Sequence, residues 1–159
     1  MVKGLKGHLM ENFEVKIVTL EALKAASFYG FGETPEMDAH NAAKAWLEKH
    51  SLIKPNGYRN FGFNNPNPSA GSPNYGYEVW IVPSKGLPED HGAKEIEFPG
   101  GLYAVAYCPS LDVIGQTWQK LVAWRDSSKY ERAPHQWLEE LYAPWEFSTD
   151  RFDLYLPIK

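Results

Sequence analysis

The sequence predicts an α+β domain of two tandem β-α-β-β-type units. Together they would form a mainly antiparallel sheet, with two main helices on one side and a central ligand cleft. Three observations carry this expectation. Tyr75 to Pro83 (Tyr-Gly-Tyr-Glu-Val-Trp-Ile-Val-Pro) recurs near the C-terminus as Phe152 to Pro157 (Phe-Asp-Leu-Tyr-Leu-Pro); both run aromatic, acid, aliphatic, aromatic, aliphatic and close on proline. The order strand, strand, helix, strand, strand is read twice, over about residues 11–85 and 93–159. Helix-start signals stand at equivalent places in each half, at Thr34-Pro35-Glu36 and at Ser110.

The elements follow in order. Met1 to Met10 is a Gly- and Lys-containing leader, read as disordered or added, so that 11–159 is the single domain. Phe13 to Leu20 alternates Phe13, Val15 and Ile17 against Glu14, Lys16 and Val18, which predicts a strand with one buried face, paired with Lys24 to Tyr29. Gly30-Phe31-Gly32 is expected to break that second strand. Thr34 as N-cap, Pro35 at the first helical position and acids in the first turn open a helix carrying Ala39, Ala42, Ala43, Trp46 and Leu47 at helical spacing. Pro55-Asn56-Gly57 is a turn, and Tyr58 to Phe63 a short strand in which Gly62 marks a bulge or a close backbone approach. Asn64 to Asn74 carries three prolines and reads as a long loop.

The second half repeats these features. Ala93 to Phe98 alternates, with Ile96 and Phe98 on one side, and Gly100-Gly101 turns into the strand Leu102 to Tyr107. Ser110 is expected to cap a helix whose Ile114, Trp118, Leu121, Val122 and Arg125 share a face. Trp137 to Tyr142 is the counterpart of Tyr58 to Phe63, and Phe152 to Ile158 that of Tyr75 to Pro83.

Composition limits the function. Sixteen Lys and Arg against 20 Asp and Glu give a formal charge of -4, which leaves no basic stripe for direct nucleic-acid binding. Aromatics make up 14% of the chain, with 6 Trp, more than a core of this size requires, so some should line a cavity. A single cysteine, Cys108, excludes an internal disulfide and suits a reducing, cytoplasmic compartment. No apolar run is long enough to span a bilayer. The five histidines show no zinc spacing, and neither a metal nor a cofactor is expected.

Period-2 alternation gives each copy of the repeated strand an aliphatic face (Val79, Ile81; Leu154, Leu156) and a face pairing an acid with an aromatic (Glu78, Trp80; Asp153, Tyr155). A carboxylate beside an aromatic suits an apolar cation. Glu139 and Glu140 sit side by side in the otherwise apolar strand Trp137-Leu138-Glu139-Glu140-Leu141-Tyr142. Alternation places one of them inward without choosing which. A buried acid must be hydrogen-bonded, neutralised or paired with a cation.

The Tyr-Gly-Tyr-Glu-Val-Trp strand, the Gly100-Gly101-Leu102-Tyr103-Ala104-Val105 turn and strand, the Glu140-x-Tyr142 pair and the closing Asp153-Leu154-Tyr155-Leu156-Pro157-Ile158 together resemble the GyrI-like small-molecule-binding domain. That domain serves some AraC- and MerR-type transcription regulators as their effector-binding module, and this chain resembles a stand-alone form. The resemblance implies a lipophilic aromatic or cationic small molecule as partner, sensed, sequestered or detoxified in an aromatic pocket with a buried glutamate. The family's glutamate falls on Glu140 and its pocket tyrosine on Tyr155; Glu78 and Trp80 hold the symmetry-related places, with Tyr142 and Phe63 beside them, and Glu139 replaces Glu140 if the register differs by one. The resemblance also admits a hydrolase opening cyclopropane-containing electrophiles, with Glu140 as general base and Tyr155 or Tyr142 stabilising charge on a carbonyl oxygen. A third class is a protein-interaction module, such as a DNA gyrase inhibitor.

Overall fold

The computed structural model describes residues 13–142 and 151–159; the leader Met1 to Met10 lies outside the described residues. The elements are β1 (Lys16–Leu20), β2 (Leu23–Gly32), α1 (Pro35–Lys49), β3 (Tyr58–Asn64), β4 (Tyr75–Pro83), β5 (Lys94–Phe98), β6 (Gly101–Cys108), α2 (Ile114–Asp126), β7 (Leu138–Leu141) and β8 (Phe152–Pro157). The strands form one eight-stranded sheet in the order β1-β6-β8-β7-β3-β4-β2-β5. Every pairing is antiparallel. Outward from the β7-β3 seam, β3-β4-β2-β5 on one side matches β7-β8-β6-β1 on the other. The architecture is therefore α+β, with the two helices on one face of an antiparallel sheet.

The pairing of the first strand corrects the sequence reading. β1 lies against β6, with Lys16 opposite Val105 and Leu20 opposite Gly101, while β2 pairs with β4 and β5. The reason lies in the links: Glu21-Ala22 joins β1 to β2, and a two-residue hairpin wants residues that accept positive φ, which these are not. Each half thus lends its first strand to the other. The two short links meet, since a Cβ on Gly100 (φ 80) would stand 2.1 Å from the Leu20 carbonyl oxygen. Only glycine tolerates both that φ and that approach. The sheet consequently curls, and edge-strand residues Leu20 and Phe98 join one cluster with Phe61, Trp80, Tyr103 and Tyr155.

Further boundaries shift for local reasons. β2 runs through Gly30 and Gly32, because β4 supplies partners as far as Tyr75 opposite Gly32. In β1, Leu20 is buried and Val18 half-buried against the inner cluster, whereas Ile17 is exposed at the sheet edge. α1 begins at Pro35 after Thr34 and buries Ala39, Ala43, Trp46 and Leu47, leaving Ala42 in solvent. The second helix starts later than expected: Ser110 precedes a single 3-10 turn, Leu111–Val113, and α2 proper begins at Ile114.

The convex face carries two cores. α1 packs on Ala26, Tyr77, Val79 and Ile81; α2, through Leu121, packs on Ala104, Leu154 and Leu156. The aliphatic faces of the two repeated strands therefore meet the helices, and their acid-aromatic faces point to the inner, concave side. No helix among the described residues is long and apolar enough to cross a membrane.

Candidate functional site

Alternation along the central strands sets the concave face. β3 contributes Arg59, Phe61 and Phe63; β4, Glu78 and Trp80; β7, Leu138 and Glu140; β8, Tyr155. Glu140 is 6% exposed and opposes Phe61 across the seam. Its carboxylate receives the Arg59 guanidinium side-on, Nε donating to Oε2 and Nη2 to Oε1, both at 2.8 Å. The Tyr155 hydroxyl donates to Oε1 at 2.6 Å, and Arg59 Nη2 also donates to the Tyr155 hydroxyl oxygen at 3.0 Å. Three of roughly four acceptor positions on the carboxylate are thus taken.

The guanidinium lies 4.8 Å over the Phe61 ring. Its pKa is pushed further up, chiefly by the hydrogen bond to Glu140, and burial with the Glu140 carboxylate holds the Tyr155 phenol far above the ordinary tyrosine range. The pair is asymmetric: the Arg59 side chain is 48% exposed and that of Glu140 8%. An opening of about 530 Å³ adjoins Arg59, Glu140 and Tyr142. Tyr142, 39% exposed, donates its hydroxyl to Asp153 at the rim.

Glu78, Trp80 and Phe63 form a second group on the same face. The Trp80 indole donates to Glu78 Oε2 at 2.6 Å, Ser27 Oγ to the same oxygen at 3.1 Å, and Asn65 Nδ2 to Oε1 at 3.3 Å. Phe63 meets Trp80 edge-on at 5.0 Å, and Phe98 lies 5.3 Å beyond. A second aromatic run joins Phe61, Tyr155, Tyr103 and His135 through contacts of 4.8 to 5.8 Å. These rings are closely packed, so the concave face is an aromatic core open at its Glu140 end.

Glu139 points to the helix-bearing face. There it accepts the Tyr77 hydroxyl at 3.1 Å, and that hydroxyl passes directly over Gly62, where a Cβ would lie 2.1 Å from it. Gly62 is therefore the close approach its sequence context suggested. Burial raises the Glu139 pKa to about 7, with Glu36 adding to the rise and the Tyr77 hydrogen bond opposing it.

The structure brings Glu140, Tyr155 and Tyr142 to one place, Glu78, Trp80 and Phe63 to another, and separates Glu139 from both. Sequence reasoning missed Arg59. The signal was present, since Arg59 shares the parity of Phe61 and Phe63 in a strand assigned from its apolar residues alone. Ser27 and Asn65 gave no signal. Among the described residues no group of three or more His, Cys, Asp or Glu is placed to hold a metal ion.

A family model described as Cass2, integron-associated effector binding protein, matches residues 16–158. No curated protein matches. Among solved structures, EcmrR in its DNA complex superposes with a TM-score of 0.68 at 10% identity; the match covers 99% of this chain and 63% of the EcmrR chain. A hydrolase from Listeria innocua gives 0.61 at 10% identity over 97% of each chain. SAV2435 bound to tetraphenylphosphonium gives 0.53 at 11% identity, over 92% of this chain and 94% of that one. At these identities the likeness is one of fold.

Proposed function

This chain belongs to the integron-associated effector-binding protein family, and from that premise we propose that it binds lipophilic aromatic cations in the concave cleft at Glu140 by exchange with Arg59. The observation that carries the reading is the Arg59 guanidinium itself. It is a delocalised cation held against a buried carboxylate, a phenol and a ring face, which are the contacts a lipophilic cation would use. Exchange is favoured by the asymmetry in exposure: Arg59 can swing into water with its charge solvated, whereas Glu140 cannot. An opening of about 530 Å³ lined by both Arg59 and Glu140 gives room beside the guanidinium, which supports the exchange. The likeness to SAV2435, whose structure holds tetraphenylphosphonium, supports a cation of that class.

The test is calorimetric titration with tetraphenylphosphonium. Arg59→Met should bind more tightly than wild type, and Glu140→Gln should bind at least tenfold more weakly. Equal affinity in all three proteins overturns the reading.

A second reading is favoured by one observation, the 2.6 Å bond between the Tyr155 phenol and the Glu140 carboxylate, an acid and an oxyanion donor side by side. With Arg59 displaced, Glu140 would take a proton from water while the water oxygen bonds to a cyclopropane carbon. The electrons of the breaking ring bond would pass to a conjugated carbonyl oxygen hydrogen-bonded by Tyr155. Mass spectrometry of a cyclopropane-bearing electrophile incubated with the protein decides this: a water adduct absent with Glu140→Gln supports hydrolysis, and unchanged compound rejects it.

A further inference from the structure

The β3-β7 seam borders a cavity of about 320 Å³ that Glu139 enters from the helix-bearing face and that shares no lining residue with the opening at Glu140. Gly62, Phe63, Leu138 and Glu139 line it from the strands, and Trp118 of α2 with Trp137 from the side. The two indoles meet at 5.2 Å with their planes tilted by 43°. Gly62 has no side chain, and the Tyr77 hydroxyl takes the place its Cβ would occupy. Glu139 is the one charged group among the described lining residues. It accepts a hydrogen bond from the neutral Tyr77 hydroxyl, and among the described residues it forms no ion pair.

The two neighbouring glutamates thus have opposite circumstances. Glu140 already has its cation in Arg59, while Glu139 accepts a phenol and shares its cavity with two indoles and, among the described lining residues, no positive charge. Even a half-buried carboxylate without a cation is costly to keep ionised. A wall of tryptophan faces attracts quaternary ammonium groups, whose charge is diffuse and whose methyls pack as apolar surface. We infer that this cavity is a second binding site, taking a compact quaternary ammonium compound with Glu139 as counter-charge and Trp118 and Trp137 as its aromatic wall. It stands apart from the Glu140 cleft, and neither site depends on the other.

The probe is benzyltrimethylammonium, titrated into the full chain and followed by calorimetry and tryptophan fluorescence. Wild type and Glu140→Gln should bind alike, Glu139→Gln at least tenfold more weakly, and Trp118→Ala weakly while Trp118→Phe keeps most of the affinity. Glu139→Gln keeps an acceptor for the Tyr77 hydroxyl and Trp118→Phe keeps a ring, so loss of binding in the first beside retention in the second is not explained by misfolding. Absence of binding by wild type at millimolar probe overturns the inference. So does loss of binding in Glu140→Gln with retention in Glu139→Gln, which would assign the ammonium to the other face. Failure with tetraphenylphosphonium alone would leave this site standing and reject only the concave-cleft reading.

Discussion

Glu139 and His40 should set opposing slopes on the pH dependence of stability, and removing either should expose the other. His40, on α1, packs its ring 5.7 Å from that of Tyr77, the donor to Glu139, and its Nδ1 is buried without a hydrogen-bond partner. Burial lowers its pKa from 6.5 to about 4, while burial raises that of Glu139 from 4.5 to about 7. For Glu139 the folded state holds the proton more tightly than the unfolded state. Its stabilisation is complete below 4.5 and is lost as pH rises through about 7. His40 has the reverse sign: between 4 and 6.5 the unfolded state binds the extra proton, so stability rises with pH and is fully recovered above 6.5. At 1.36 kcal/mol per pH unit traversed, each group is worth up to about 3 kcal/mol. Over 4.5 to 6.5 the two cancel. Urea denaturation at half-unit pH steps should give wild type little slope from this pair, Glu139→Gln a stability that climbs with pH, and His40→Leu one that falls. Glu139→Gln should also exceed wild type at pH 7. Parallel curves for wild type and Glu139→Gln would refute the assignment of a raised pKa to this acid.

Arg59→Met strands a buried carboxylate and should cost roughly 2 kcal/mol, less than the 3–5 typical of a fully buried pair because Arg59 is half in water. Adding Glu140→Gln should recover much of that loss, and urea denaturation of the double-mutant cycle reads it directly. Gly62→Ala drives a Cβ into the Tyr77 hydroxyl and should lower stability by about 1–3 kcal/mol, an overpacking penalty that Tyr77→Phe in the same chain relieves. Leu121→Ala empties the centre of the α2 core and should cost about 2–5 kcal/mol, measured by the same denaturation.

Much of the fold was legible because it is written at period 2. In Tyr75–Pro83 and Phe152–Pro157 the aliphatic residues meet helices and the acid-aromatic residues face the concave side, as alternation required. Strand exchange was not legible, since the partner of β1 depends on how two short links cross at Gly100, a contact between residues eighty positions apart in sequence. The facing of the acids and aromatics of the candidate site was legible, but Arg59 was not. A charge at an alternating strand position reads as solvated unless a buried partner is known to face it across the seam.

The seam also explains why two adjacent glutamates have different surroundings. β7 is four residues long and shares two register pairs with β3, Phe61 with Glu140 and Gly62 with Glu139. On the concave side the β3 residue is a ring, so the acid beside it is walled by aromatics and neutralised from Arg59, two residues earlier on the same face. On the other side the β3 residue is glycine, so the acid faces a cavity with room for a ligand and for the Tyr77 hydroxyl. Exchanging the β3 partners would exchange the environments: Gly62→Phe should fill the helix-side cavity and abolish benzyltrimethylammonium binding. Phe61→Gly should instead remove the ring beneath the guanidinium and weaken the hold of the concave cleft on tetraphenylphosphonium. If both variants are folded and each alters the ligand of the opposite face, β7 does not partition the two acids as its register indicates.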